Sequence, residues 1–107
     1  MTVAKLLEHI DAIKHNQISE DVKIGWIRSL EGRVLCEIFK KDPENLALPL
    51  SEEDELVIPE PYCEVYVLYL SAMIEFSAGN YTGYGVVMGQ FEIALARYAR
   101  RVIRSGK

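Results

Sequence analysis

One stretch constrains the fold of this chain more than any other. It runs from Val57 to Asn80 and reads as a helix that begins at Pro61 and ends near residue 78. Its polar positions are Glu64, Ser71, Glu75 and Ser77. Glu64, Ser71 and Glu75 stand at i, i+7 and i+11, so they share one narrow stripe. The rest of the circumference is mainly Tyr, Val, Leu, Met, Ile and Phe. A helix apolar nearly all round must be covered on most sides. Three short partners do not easily supply that cover. The pattern therefore predicts burial against another subunit, at a face carrying Val67, Leu68 or Leu70.

The chain has 107 residues, half of them apolar, which is one domain with enough apolar surface for a core. A chain of this length buries roughly 65% of its unfolded surface. The first helix is predicted over 3–15, from Val3, Leu6, Leu7, Ile10 and Ile13, with Thr2 as its N-cap. A second is predicted over 20–41. It opens with Ser19 as N-cap and two acids in the first turn, and closes on Lys40-Lys41. The apolar helix follows over 61–78, with Pro61 in its first turn and Gly79-Asn80 as its stop. The last helix is predicted over 81–104. It has one apolar line through Tyr84, Val87, Met88, Phe91, Leu95, Tyr98 and Val102, and a second through Val86, Ile93, Ala96 and Ile103. Two lines on one helix suit both an internal core and a neighbouring subunit.

All four prolines fall between 43 and 61. The runs Leu46–Leu50 and Glu55–Pro59 flank Ser51-Glu52-Glu53-Asp54, as extended segments on the helices or as a small hairpin. The expected fold is therefore all-α. It is a single four-helix domain with a long Pro-rich, partly extended connection between the second and third helices.

No catalytic, cofactor or metal motif stands out. Glu52, Glu53, Asp54 and Glu55 have no His, Cys or Ser constellation beside them, and a solvated loop is the default. His9 and His15 stand six apart, which does not place both rings on one helical face. Cys36 and Cys63 read as reduced thiols, with a disulfide between them left open. The glycines from 79 to 89 lack the ending of a phosphate loop. Gly85-Val-Val-Met-Gly89 has the spacing of close helix approach. Tyr62, Tyr66, Tyr69, Tyr81 and Tyr84 have no basic residue among them, so they read as core or interface rings with hydroxyls at the rim. Lys5, Glu8 and Asp11 interrupt the N-terminal apolar positions, so no secretory signal is expected. The apolar helix is too short and too interrupted for a membrane span.

The net charge is −4, which argues against unaided capture of nucleic acid. The charge is also segregated. From Asp42 to Glu64 every charged residue is acidic, and from Arg97 to Lys107 every one is basic. Glu52, Glu53, Asp54 and Glu55, with Arg97, Arg100, Arg101 and Arg104, are thus the candidate subunit or partner contacts. One subunit's acidic loop would meet its neighbour's basic tail.

The order of features resembles a family of small head–tail connector (adaptor) proteins of tailed bacteriophages and prophages of Gram-positive bacteria. The residues that carry it are Ser19 to Ile27, Leu30–Arg33, Glu55–Tyr62, Tyr66–Ile74, and a final helix with Met88 and Phe91. The resemblance covers Asn16 to about Arg101. It implies an α-helical adaptor that assembles as a homo-oligomeric ring, typically a dodecamer, between the portal and the head-completion or tail proteins. Double-stranded DNA passes through transiently during head completion. The protein would be in the host cytoplasm before assembly and in the virion after it. The family brings no catalytic residue, cofactor or metal. The chain departs from it at Thr82-Gly-Tyr-Gly-Val, where relatives more often carry helix formers. The competing reading from charge alone is a small helical DNA-binding or regulatory protein that uses its basic C-terminal helix.

Overall fold

A computed structural model describes residues 1–45, 48 and 51–105. Among these the chain is all-α. Its helices are α1 (Val3–Ile13), α2 (Glu20–Glu37), α3 (Glu64–Ser77) and α4 (Tyr81–Arg104), with a short 3-10 turn at Pro43–Asn45. The predicted caps form. Thr2 Oγ1 accepts from the Lys5 N–H and Ser19 Oγ from the Val22 N–H, satisfying amides that the first turn leaves without carbonyls.

Three boundaries differ from the sequence reading. α1 ends at Ile13, two residues early. α2 stops at Glu37, four residues before Lys41. Lys40 takes a left-handed φ of 59°, and the Lys41 N–H reaches back to the Leu35 carbonyl at 2.9 Å. That bond reaches back six positions, one more than the six-to-one bond of a Schellman end, and the left-handed residue is a lysine where glycine is usual. α3 begins at Glu64, not Pro61. Pro61 lies in a turn before the helix, in which the Tyr62 N–H donates to the Pro59 carbonyl; the Glu60–Pro61 peptide is cis.

α3 is the centre of the packing, as its composition requires. It packs along α4 and against α1 and α2. Every residue from Val65 to Glu75 is buried or half-buried within the one chain. This corrects the expectation that α3 needs a second subunit. Leu70 is fully enclosed, and Val67 and Leu68 are half-covered. The cover comes mainly from α4, whose inner face buries Phe91, Ala94, Leu95, Tyr98 and Val102. α4 runs unbroken through Gly83, Gly85 and Gly89.

The α3–α4 turn is built from polar parts. Gly79 takes φ 79°. Asn80 Oδ1 accepts from the Gly83 N–H, while Asn80 Nδ2 donates to Glu75, which also pairs with Lys14 of α1. A Cβ at Gly83 would come within 2.5 Å of Asn80 Nδ2, so glycine there lets the cap close.

The second half of the long connection lies on the helices. Leu56 and Ile58 are buried, each stabilising the fold by about 1.5–3 kcal/mol as an upper estimate. Glu55 forms an isolated antiparallel bridge with Thr2. Leu46, Ala47, Pro49 and Leu50 lie outside the described residues, and with them all of the first apolar run except Leu48, which is half-buried.

Candidate functional site

Two features of the molecule are candidates for function: a buried polar knot and an open helix face. The knot joins three of the stretches that carried the resemblance. Glu31 of α2 is only 2% exposed, and Tyr66 of α3 is fully buried. The Tyr66 O–H donates to Glu31 Oε1 at 2.5 Å, and its oxygen accepts from the Ile58 N–H at 2.8 Å. Glu31 Oε2 accepts from the Val57 N–H at 2.9 Å. The Cys63 S–H donates to the Ile58 carbonyl at 3.4 Å. Two helices therefore grip the 57–58 backbone, whose amides have no sheet partner. Burial raises the Glu31 acid above its ordinary range, against the opposing effect of its Tyr66 and Val57 hydrogen bonds. Burial first, and the Glu31 carboxylate second, push the Tyr66 phenol upward, so it remains a donor.

The sequence reading placed tyrosine hydroxyls at the rim, and for Tyr66 that is corrected. It also gave Glu31 and Lys23 no role. Both occupy the buried stripe of α2, which runs Lys23, Ile27, Leu30, Glu31, Val34. A signal existed, because Lys23 and Glu31 stand four residues to either side of Ile27. Lys23 Nζ donates to Asp11 Oδ1 at 2.8 Å and Asn16 Oδ1 at 3.2 Å, tying α2 to α1. The Lys23 hydrogen bond is the main cause holding the Asp11 acid below its ordinary value.

The predicted contact residues fall into two groups that do not meet. The acidic segment is docked instead of freely solvated. The Glu52 and Asp54 carbonyls accept from the Ala4 and Val3 N–H groups at 2.8 and 3.0 Å, so the loop backbone caps the start of α1. The Asp54 carboxylate accepts from the Ser51 N–H, and Glu55 pairs with the Met1 ammonium at 3.3 Å. The side chains of Glu52 and Glu53 remain exposed. At the other group, Arg97 reaches Glu64 only at 4.0 Å. Arg100, Arg101 and Arg104 are exposed and, among the described residues, make no ion pair.

The second apolar line of α4 is the open face. Val86, Ile93 and Ile103 are exposed, at 60%, 62% and 73%. A shallow groove of about 510 Å³ lies near the basic end, lined in part by Phe39, Pro59, Tyr62, Tyr98 and Arg101. Tyr98 stacks obliquely with both Tyr62 and Phe39. Cys36 and Cys63 are free thiols, and His9 and His15 are on the surface. Among the described residues no cluster of His, Cys, Asp or Glu is arranged to hold a metal. No helix there is long and apolar enough to cross a membrane.

No protein-family model, curated protein or solved structure matches the chain.

Proposed function

We propose that the protein is a structural adaptor of the phage head–tail connector class, which docks on a portal as a homo-oligomeric ring and extends the DNA channel. The observation that carries this reading is the knot at Glu31 and Tyr66. It makes one structural unit of the Leu30–Arg33, Glu55–Tyr62 and Tyr66–Ile74 stretches. Those stretches are the basis of the resemblance, and their shared order has a physical reason in this chain. The surface agrees in kind. Its open apolar face and segregated charges suit association with protein.

A second reading draws on the three arginines without ion pairs, which suit DNA phosphates. In it the protein is a small helical DNA-binding or regulatory protein. Electron microscopy of the protein mixed with portal rings separates the two. A stacked adaptor ring on the portal is the expected result. Absence of any portal complex, together with duplex-DNA binding that falls steeply with salt, would overturn the connector reading in favour of the regulator.

A further inference from the structure

We infer that the solvent face of α4 docks a second copy of this chain, and that it takes the acidic corner formed by Glu8, Glu20 and Glu52 of that copy. The inference deepens the oligomeric part of the connector reading and rests on it for closure into a ring.

The face has an apolar half and a cationic half. Val86 and Ile93 are seven residues apart and both more than half exposed. Between and beside them lie Gly85 and Gly89, where an added Cβ would meet nothing within 4 Å. Glycine is the costliest residue in a helix interior after proline. At Gly83 the Asn80 cap explains it; at Gly85 and Gly89 nothing among the described residues does. A closely approaching backbone explains both. One to three turns further on, the same face presents Arg97, Arg100 and Arg104.

The complement lies on other elements of the same molecule. Glu8 and Asp11 of α1, Glu20 at the start of α2, and Glu52 surround a shallow depression of about 320 Å³, with Ala4 and Leu7 also lining it. Asp11 is engaged by Lys23. Glu8, Glu20 and Glu52 have no cation among the described residues, and Glu20 raises the Glu52 acid, first through a hydrogen bond between the two side chains and then through its charge. Among the described residues no ion pair joins this corner to the arginines within one molecule, so the pairing is left to a second copy. Two different patches meeting in this way form a heterologous contact, which propagates and closes into a ring when its rotation allows. Duplex DNA would satisfy the arginines but leave Val86 and Ile93 uncovered, so a protein surface is the better occupant.

The test is sedimentation velocity on the full chain at about 100 µM, a concentration that populates contacts of micromolar affinity. The expected result is self-association that weakens as salt rises from about 50 to about 500 mM. Ile93→Asp should weaken it at least about tenfold. The double variants Arg100→Glu/Arg104→Glu and Glu8→Arg/Glu52→Arg should each be monomeric, and mixing them should restore association. All these positions are exposed, and circular dichroism checks that helicity is kept. A monomer under every condition overturns the inference, whether or not the basic tail then binds DNA. So does association indifferent to Ile93→Asp, or a mixture that stays monomeric. Charge-dependent association without portal binding supports the contact while counting against the connector reading.

Discussion

The seat of Tyr66 and the outer face of α4 follow opposite rules. Around Tyr66 every polar group is paired although buried, and among the described residues no buried side-chain nitrogen or oxygen lacks a partner. On α4, apolar groups are left in water, the Cβ positions of two glycines meet nothing, and among the described residues Arg100 and Arg104 have no ion pair. The first region is complete within one chain. The second is complete only with something added. A buried donor or acceptor left unmade costs about 1–3 kcal/mol, which forces the interior to close. Exposed groups carry no such penalty, and that freedom is where selection for a partner can act.

The comparison breaks first at Tyr66. Tyr66→Ala should cost about 3–5 kcal/mol in urea unfolding. Tyr66→Phe, which keeps the ring and strands the Ile58 N–H and one Glu31 oxygen, should cost about 1–3 kcal/mol. Equal stability of the Phe variant would mean that the knot contributes nothing. Lys23→Met comes next. It removes two charge-assisted hydrogen bonds, one to α1 and one to the α1–α2 connection, and chemical denaturation should show a loss of about 1.5–3 kcal/mol.

Glu31 gives a test by pH. Its acid is raised above the ordinary 4.5 by burial, so the folded protein holds this proton more tightly than the unfolded chain does. Relative to Glu31→Gln, wild-type stability should be highest below that ordinary value. It should fall as pH rises through the elevated one, then level off. Parallel stability curves for the two proteins would contradict the assignment. Tyr66, Tyr98, Asp54 and Glu55 are the neighbouring titratable groups, and they are the same in both proteins. The smallest effect is expected at the open face. Gly89→Ala should stabilise the isolated domain by up to about 1 kcal/mol while weakening its self-association. A loss of stability there would show that the glycine has an internal role after all.

The helices and their start signals were legible because Thr2 and Ser19 act through local hydrogen bonds. What escaped was set by distant contacts. Lys40-Lys41 looked like a favourable last turn, but the chain leaves the helix through a left-handed lysine. Pro61 suited a first turn, yet the knot at Ile58 and Cys63 places it in the turn before α3. α3 appeared under-covered because the length of the last helix, read correctly as 81–104, was not weighed against that of α3. At 1.5 Å per residue, the 24 residues of α4 span about 36 Å against about 21 Å for α3, so one partner covers a whole flank. Glu31 and Lys23 looked like surface charges because identity was weighed before position on the stripe. Of the candidate contacts, the arginines lie exposed as charge segregation implied. The acidic loop carries a second duty, since its carbonyls cap α1.

The knot also sets a timetable. α3 and α4 meet across a turn of a few residues, a local contact that closes quickly. Glu31 must find Val57 across 26 positions, after a longer loop has been ordered. The hairpin is therefore expected to be half-built at the folding barrier, with the strap still loose. Truncations at Leu95 should slow folding, whereas Glu31→Gln should mainly hasten unfolding. If Glu31→Gln instead slowed folding in full proportion to its stability loss, the strap would be gripped before the barrier. In that case the buried carboxylate would direct the search for the native state rather than secure it at the end.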